Sequence, residues 1–384
     1  MKILFVVSNA NCHGGTEILT LNLMSALQER GYECTLFSRF YYTGCDPRIF
    51  SLSIEKYHIY EKILNSPINK IKGGIESDRY IHDYIEQYAQ DNNIDWIINQ
   101  TYDLIGIISK FKNVKTAQVF NWSIDGFENS LLKYINKKSF VAKWFSMLVF
   151  VFTKKRWHRF FSKIDKLIVL TDKGKSELLK YGKEIGINQF VTIPDPLMHS
   201  DDSLCLSSLN NKQVVYAGRL SEEKGVMRLL RIWEHVEKML PDYTLNIYGD
   251  GYMKGEMESY VQQHRLSRVV FKGFSKDLEE IYCNADLCLM TSDTEGFGMV
   301  LIEAMYYGAP CISFDCPISP KEIIADAGAT IPCFDEDKYA NEVVALLRDK
   351  EKLHNLQLRA IKRARDFYID KVINLWIDML NTKD

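Results

Sequence analysis

Two glutamates separated by seven residues carry the strongest chemical signal in this 384-residue chain. Glu295 precedes the loop Gly296, Phe297 and Gly298, and Glu303 lies within the apolar run that follows. Free backbone N–H groups at a helix start, together with the helix dipole, favour an anion such as a phosphate. Glu303 lies about one turn into the predicted helix. Two carboxylates that flank a phosphate site can accept hydrogen bonds from hydroxyls, which suits a sugar on one side and a ribose on the other.

Two cations follow an earlier predicted strand. Gly218 and Arg219 come directly after that strand, and Lys224 lies five residues further on. Arginine offers a fork of donors and lysine a compact charge, so the pair suits a diphosphate. A solvated basic turn is the alternative, because Glu222 and Glu223 stand between the two cations. Together with the downstream glutamates, the pattern favours diphosphate binding.

A glycine pair, Gly14 and Gly15, follows the first predicted strand and precedes a helix predicted over residues 16–30. This layout suits a phosphate or an acceptor group that approaches the backbone. A tight turn that needs glycine explains it equally well. The pair is not part of a Gly-x-Gly-x-x-Gly motif, so it gives no support for a dinucleotide site.

Composition narrows the class of protein. The length suits two domains, and a net charge of −2 gives no global field that would attract nucleic acid. The nine cysteines include no Cys-x-x-Cys pair, which favours reduced thiols in the cytoplasm over disulfides or zinc. The short apolar N-terminus predicts a buried strand and not a signal peptide. Asp335, Glu336 and Asp337 fit Asp-x-Asp by letters, but their place before a predicted helix favours capping, so we expect no metal.

Short apolar runs alternate with helical patterns, which predicts parallel sheets built from βαβ units. The predicted strands cover residues 3–7, 34–37, 96–99, 116–120 and 167–170 in the first half, and 214–217, 245–248, 269–271, 287–290 and 311–313 in the second. Pro194 and Pro196, followed by a polar stretch, predict an interdomain linker. We therefore expect domains over residues 1–195 and 196–366, and a terminal helical segment over 367–384.

The second half resembles the retaining glycosyltransferases of the GT-B class, family 4. Besides the paired glutamates, the resemblance rests on motifs in the family's order: Ala217-Gly218-Arg219-Leu220, Lys224-Gly225, Asn246-Ile247-Tyr248-Gly249-Asp250-Gly251, Phe271-Lys272-Gly273-Phe274, Ala285-Asp286-Leu287 and Gly308-Ala309-Pro310. The first half matches only through Gly14-Gly15-Thr16-Glu17 and its strand pattern. The resemblance implies an α/β GT-B fold, in which two Rossmann-like domains with parallel sheets face a central cleft, and a terminal helix that returns to the N-terminal domain.

The resemblance also implies roles for the residues. Arg219 and Lys224 would neutralise the leaving nucleotide diphosphate, Glu295 would contact the hydroxyls of the donor sugar, and Glu303 would bind the ribose. The remaining donor-binding positions would be Gly218, Gly249, Gly273, Phe274, Gly296, Phe297 and Gly298, and the loop of Gly14 and Gly15 would lie near the phosphate.

The implied activity is transfer of a hexose from a UDP- or GDP-linked donor, with retention of configuration and without a metal or other cofactor. The acceptor would be a lipid-linked saccharide in lipopolysaccharide, O-antigen or capsule assembly. Two alternatives stay open: a transferase with a soluble acceptor, and a non-catalytic subunit that binds a nucleotide sugar.

The sequence departs from the family in the first half. Relatives commonly carry a histidine after a middle strand, close to the transferred sugar, where this chain has Asn121, Trp122, Ser123 and Asp125. The polar candidates on the acceptor side are therefore Asn121, Ser123 and Asp125, with Trp122 as a platform for stacking.

The stretch from Phe140 to Phe161 combines an apolar, aromatic helical pattern with basic clusters on both sides. Its apolar part is too short to span a bilayer, which needs about 20 residues. Cations beside such a helix suit an anionic membrane surface. We expect peripheral binding to the inner face of the cytoplasmic membrane, and a buried helix of the first domain is the alternative.

Overall fold

The computed structural model describes residues 1–9, 15–40, 53–55, 81–102, 104–111, 113–121, 123, 159–180, 186, 189–198 and 206–382. They fall into two compact units. The first unit contains the described residues from Met1 to Asn121 and from 159 to Pro196, together with those from Ile373 onward. The second unit contains Ser123 and the described residues from Leu197 to Val372.

The first unit is built on a seven-stranded parallel sheet in the order β3-β2-β1-β4-β5-β6-β7. Its strands are β1 (Lys2–Asn9), β2 (Glu33–Phe40), β3 (Ser53–Glu55), β4 (Trp96–Asn99), β5 (Lys115–Phe120), β6 (Lys166–Val169) and β7 (Phe190–Thr192). Its helices are α1 (Gly15–Gln28), α2 (residues 81–91), α3 (Ile105–Ile108) and α4 (Asp172–Leu179), and residues 159–161 are also helical. Because helices cover both faces, the central strands are apolar at consecutive positions.

The second unit contains a six-stranded parallel sheet in the order β10-β9-β8-β11-β12-β13. Its strands are β8 (Gln213–Ala217), β9 (Thr244–Tyr248), β10 (Val269–Gly273), β11 (Leu287–Met290), β12 (Cys311–Phe314) and β13 (Gly328–Ile331). Its helices are α5 (Val226–Met239), α6 (Lys254–His264), α7 (Leu278–Tyr282), α8 (Met299–Tyr306), α9 (Pro320–Ile324), α10 (Glu336–Arg348), α11 (Lys350–Ala364) and α12 (Ile369–Leu380), which runs on into the first unit.

The two parallel sheets confirm the predicted α/β class with two Rossmann-like domains. The sequence prediction missed β3, β7 and β13, which are three or four residues long. A Gly-Ala-Thr-Ile strand such as β13 offers too little apolar pattern to be distinguished from a loop. All other strands overlap their predicted ranges.

The core of the second unit is organised around Tyr339 of α10, which is fully buried between helix and sheet. Its hydroxyl donates to the carbonyl of Ile312 at 2.6 Å and accepts the N–H of Met290 at 3.2 Å. One side chain therefore joins β12 to the end of β11. That end leads into the loop that carries Glu295.

The C-terminal residues pack against the amino-terminal edge of the first sheet. Trp96, at the start of β4, donates its indole N–H to the carbonyl of Leu380 at 3.3 Å. Lys115, at the start of β5, donates to the carbonyl of Thr382 at 3.2 Å. The side chains of Val372 and Trp376 are buried.

Asp195 belongs to the first unit and lies between two prolines, which have no backbone N–H to offer it. It borders a cavity of about 30 Å³ whose lining includes Thr16, Gln100, Asn121 and Trp376. Burial raises the pKa of Asp195 to about 7 from its ordinary value near 3.8. Within the described part of the chain, no hydrogen bond or ion pair reaches this carboxyl group, so its ionised form is destabilised.

The Asp195→Asn variant should therefore be more stable than the wild type at neutral and alkaline pH, because it keeps the shape and removes the charge. We expect its free energy of unfolding at about pH 8 to be larger by about 2 kcal/mol. With a raised pKa, the folded state binds the Asp195 proton more tightly than the unfolded state. Wild-type stability therefore falls as the pH rises from about 4 to about 7, and the gain should nearly vanish at about pH 4. Urea denaturation at the two pH values measures the difference, and an equal gain at both would contradict the assignment.

Candidate functional site

A cavity of about 350 Å³ opens at the carboxyl ends of β8 and β9 in the second unit. It is lined by Ala217, Gly218, Arg219, Tyr248, Gly249, Asp250, Phe274, Ser275, Leu278, Ile281, Tyr282, Val300 and Glu303. Parallel strands bring their carboxyl ends to one edge of a sheet, and ligands of α/β proteins bind at that edge. The structure thus brings five of the predicted site residues, Gly218, Arg219, Gly249, Phe274 and Glu303, to one cavity.

The floor of this cavity depends on backbone segments that touch directly. Gly249 has φ of 135°, and a Cβ atom built on it would lie 1.9 Å from the carbonyl oxygen of Gly218. The N–H of Gly218 donates to the carbonyl of Tyr248 at 3.0 Å, and the N–H of Gly249 donates to the carbonyl of Gly273 at 2.7 Å. Gly249 is therefore required by the path of the main chain, whereas Gly218 and Gly273 take part through backbone hydrogen bonds.

A second close approach joins the turn of Lys224 to the loop after β11. Gly225 adopts a left-handed conformation, with φ of 64°, between the 3-10 turn Glu222–Lys224 and α5. A Cβ atom there would lie 2.0 Å from the carbonyl oxygen of Thr291. The Thr291 hydroxyl donates to the carbonyl oxygens of Lys224 and Gly225 at 3.1 and 3.2 Å. The turn and the loop therefore form one packed element.

Lys224 and Glu295 form an ion pair across this contact. The Lys224 Nζ atom lies 2.7 and 2.8 Å from the two carboxylate oxygens of Glu295. The hydroxyl of Ser292, which is buried, donates to Glu295 Oε1 at 2.6 Å. Only 11% of the Glu295 side chain is exposed. Glu295 is thus held in one place by two donors, and the charge of Lys224 is already partnered.

The side chain of Arg219 is less constrained by its neighbours than that of Lys224. The Arg219 side chain is 72% exposed, and its NH1 atom lies 3.8 Å from Glu223. An exposed pair at this distance contributes little to stability. The guanidinium can therefore turn toward an anion in the cavity at small cost.

Glu303 lies in α8 with its carboxyl group facing the cavity. Burial raises the pKa of Glu303 to about 7, although the hydrogen bond from Tyr282 works in the opposite direction. The Tyr282 hydroxyl donates to Glu303 Oε2 at 3.3 Å. Near neutral pH this carboxyl group therefore exists in both protonation states, and its ionised form accepts hydrogen bonds.

In the loop that precedes α8, backbone groups and not side chains are available to a ligand. Gly298 has φ of 97° and directly precedes the first residue of α8, as predicted for a loop that opens a helix. The side chain of Phe297 is buried and packs edge-on against Phe367, with ring centroids 5.8 Å apart. Its ring is a core contact, and only its backbone and that of Gly296 and Gly298 can face a ligand.

Phe274 lies at the rim of the cavity, where 70% of its surface is exposed. Gly273 precedes it at the end of β10 with φ of 76°, and a Cβ atom built there would meet no atom within 4 Å. An exposed aromatic ring beside a pocket can stack on a flat ligand or on the apolar face of a sugar.

The candidates in the first unit are only partly described. Gly15 is exposed at the start of α1, and Asn121 follows β5, where its amide donates to Thr16 Oγ1 at 3.1 Å and to the carbonyl of Gln100 at 3.0 Å. Both amide protons of Asn121 are thus engaged, one by Thr16 of α1 and the other by Gln100, which follows β4. Gly14, Trp122 and Asp125 lie outside the described residues.

The proposed membrane segment from Phe140 to Phe161 is described only at residues 159–161. There, Phe161 is fully buried and packs edge-on against Phe120, with ring centroids 5.1 Å apart. Phe161 therefore belongs to the core and cannot contact a membrane, which corrects that part of the prediction. Within the described ranges, no helix is both long enough and apolar enough to cross a bilayer.

The acidic triplet near residue 336 has structural partners. Asp335 accepts the N–H of Lys338 and so caps α10, and Glu336 forms a bidentate pair with Arg231 at 2.6 and 2.8 Å. Among the described residues, the side chains that could jointly hold a metal ion are His82, Asp83 and Glu86 of α2, which lie in the other unit.

The sequence analysis did not identify three residues of the site. Ser292 orients Glu295, Tyr282 contacts Glu303, and Arg228 contacts the loop after β11. The spacing of Ser292, three residues before Glu295, could have drawn attention to it. The other two contacts join elements that only the fold brings together.

Proteins that are similar to this chain in sequence or in structure include glycosyltransferases. Residues 206–365 match the model of the family "Glycosyl transferases group 1". The chain is 25% identical to the amylovoran biosynthesis glycosyltransferase AmsD of Erwinia amylovora over 99% of both chains. It also resembles the lipopolysaccharide outer core galactosyltransferase WaaB, with a TM-score of 0.75, 18% identity and coverage of 98% of both chains. A further similar structure is HepE of Anabaena in complex with UDP and glucose, with a TM-score of 0.71, 16% identity and coverage of 99% of both chains.

These matches establish the GT-B fold and support a glycosyltransferase of the group 1 type. The family match includes Arg219, Lys224, Glu295 and Glu303, as well as every residue that lines the cavity.

Alanine substitutions at Gly249 and Gly273 should separate glycines that the packing requires from those that it does not. At Gly249 the added Cβ would strike a carbonyl oxygen, so we expect Gly249→Ala to destabilise the protein by about 3 kcal/mol or more, or to prevent folding. Gly273→Ala should cost only the left-handed backbone strain of about 1 kcal/mol. Soluble yield and denaturant unfolding compare the two variants, and equal losses would mean that the contact at Gly249 is not as close as described.

Proposed function

We propose that this chain is a retaining glycosyltransferase that moves a hexose from a UDP- or GDP-linked donor to a lipid-linked saccharide. The observation that carries the proposal is that Arg219 and Glu303 line one cavity, while the ion pair of Lys224 and Glu295 joins the turn after β8 to the loop that precedes α8. This arrangement combines cations for a diphosphate with carboxylates for hydroxyl groups, as a nucleotide sugar requires.

The donor would occupy the cavity of the second unit. Glu303 would accept hydrogen bonds from the ribose hydroxyls, and the exposed ring of Phe274 would cover the base. Glu295 would face the hydroxyls of the transferred sugar, with its orientation set by Ser292 and Lys224. The backbone of Gly296 and Gly298 would approach the diphosphate at the start of α8.

Catalysis would depend on charge stabilisation at the leaving group. As the bond between the anomeric carbon and the diphosphate oxygen breaks, negative charge grows on the diphosphate, and Arg219 and Lys224 would stabilise it. By resemblance to the retaining family, the acceptor hydroxyl would attack from the same face and pass its proton to the leaving phosphate. No side chain needs to act as nucleophile, and the two cations supply what a metal would otherwise provide.

The nature of the acceptor is proposed from the relatives. AmsD, which matches over nearly the whole chain, is named for the synthesis of amylovoran, and WaaB for the outer core of lipopolysaccharide. A growing saccharide on a lipid carrier fits both names. The basic and aromatic stretch from Phe140 toward residue 158 would then hold the enzyme at the inner face of the cytoplasmic membrane.

Two other functions are distinguished by experiment. A transferase for a soluble acceptor would work without lipid, and a non-catalytic subunit would bind a nucleotide sugar without turning it over. The intact set of Arg219, Lys224, Glu295 and Glu303 favours an enzyme over a binding subunit.

The first test is to incubate the purified protein with a panel of nucleotide sugars in the presence of a chelator. We expect release of one nucleotide, increased by a membrane lipid extract, because transfer needs the lipid-linked acceptor. Lys224→Met should lower the release by at least about a hundredfold, since it removes a charge at the leaving group. Binding without release from any donor, with or without lipid, would favour the non-catalytic alternative, and release only after metal is restored would contradict metal independence.

The affinity for the free nucleoside diphosphate should depend on the protonation of Glu303. Its pKa of about 7 means that the carboxylate, which accepts hydrogen bonds more strongly, grows in population as the pH rises from about 6 to about 8. We expect the affinity of the wild type to rise over this range by roughly threefold to tenfold relative to Glu303→Gln. Calorimetric titration with UDP and GDP measures both proteins, and the variant corrects for titration of the ligand phosphate. Parallel pH profiles would contradict the role of Glu303.

A further inference from the structure

Arg228 occupies a position that a helix alone would disfavour. It lies in the first turn of α5, where the positive end of the helix dipole opposes a cation. Its side chain is nevertheless only 15% exposed. A partly buried cation at this end of a helix needs strong compensation from its neighbours.

The compensation comes from the loop that carries Glu295. The NH1 atom of Arg228 donates to the carbonyl oxygen of Thr291 at 2.9 Å, and NH2 donates to Asp293 Oδ1 at 2.9 Å. One guanidinium thus holds the main chain and a side chain of the same loop. Only the planar fork of an arginine can make both contacts at once.

The remaining sides of the guanidinium are also covered. Its central carbon lies 4.1 Å from the ring centroid of Phe334 and 5.5 Å from that of Phe314. The Nε atom lies 3.7 Å from Glu336. The guanidinium therefore has little freedom, and the loop that it binds is fixed with it.

Further contacts pass this constraint to the ion pair of the site. The N–H of Asp293 donates to the carbonyl of Glu223, next to Lys224, at 2.8 Å. Two residues beyond Asp293, Glu295 receives its hydrogen bonds from Ser292 and Lys224. Arg228 therefore secures one side of the loop while Glu223 secures the other.

We propose that Arg228 is a positioning residue, which holds the 291–295 loop against the Lys224 turn and so sets where Glu295 meets the donor sugar. The proposal rests on the proposed function for its effect on turnover. Its structural part concerns the loop alone. Arg228 does not line the cavity, so it acts through Thr291 and Asp293 and not by contact with the ligand.

The test compares Arg228→Lys with Arg231→Lys. Arg231 is one turn further along α5, is 47% exposed, and pairs with Glu336 of α10, which lies outside the loop, so it is a matched control. Arg228→Lys keeps the charge but loses the fork. We expect its kcat for donor turnover to fall by about tenfold to a hundredfold, because a small displacement of a positioned group has effects of this size.

Two readouts separate positioning from general damage. UDP affinity should stay within about threefold of the wild type in Arg228→Lys, because the nucleotide cavity keeps its lining residues. Amide hydrogen exchange at residues 292–295 should speed up by about tenfold or more in Arg228→Lys and in Asp293→Asn, and should not change in Arg231→Lys. A parallel loss of thermal stability, UDP affinity and turnover would instead indicate a purely structural role and would overturn the proposal.

The outcomes also distinguish this proposal from the proposed function. If the wild type neither binds nor turns over any nucleotide sugar, the proposed function fails, whereas hydrogen exchange still tests whether Arg228 fixes the loop. If Arg228→Lys turns over donor like Arg231→Lys, or if exchange at residues 292–295 is unchanged, the positioning role is wrong.

Discussion

The second unit depends on the absence of side chains where its main chain crosses itself. At Gly225 and at Gly249, the neighbouring carbonyl oxygen lies about 2 Å from where a Cβ atom would stand. These contacts allow the turn after β8, the turn after β9 and the loop after β11 to pack at one edge of the sheet. Because the carboxyl ends of parallel strands already converge there, the close packing turns a general property of the fold into a specific cavity.

The two cations predicted to bind a diphosphate differ in how strongly each is paired. Lys224 is paired with Glu295, whereas Arg219 extends into solvent with only a loose partner. An anionic ligand would first meet the exposed guanidinium, and then a lysine whose position is already set. At Glu303, burial destabilises the ionised form of the carboxyl group and raises its pKa. Hydrogen bonds from the hydroxyl groups of a ligand would stabilise that ionised form.

Much of the architecture follows from the sequence, because continuous apolar runs identify buried parallel strands. The runs at Trp96–Asn99 and Leu287–Met290 gave the correct bounds, and the position of Glu295 and Glu303 after β11 followed from the same pattern. Contacts between distant segments could not be predicted in this way. The ring of Phe297 faces Phe367, and Arg228 meets Asp293, 65 residues away, only because the sheet places α5 beside the loop after β11. Burial of Asp195 likewise depends on residues from five other parts of the chain.

The return of the C-terminal residues to the first unit imposes an order on biosynthesis. A ribosome completes the strands of the first sheet long before it reaches Ile373, and the whole second unit is made in between. Until then, the surfaces of Trp96 and its neighbours that later meet α12 have no cover, so the first unit cannot reach its final packing during translation. A nascent chain must therefore keep an apolar surface soluble for the time that about 180 residues take to emerge, roughly ten to forty seconds at about 5–20 residues per second. Loss of a few terminal residues would therefore weaken the packing of the first unit, although most of that unit lies far from them in the sequence.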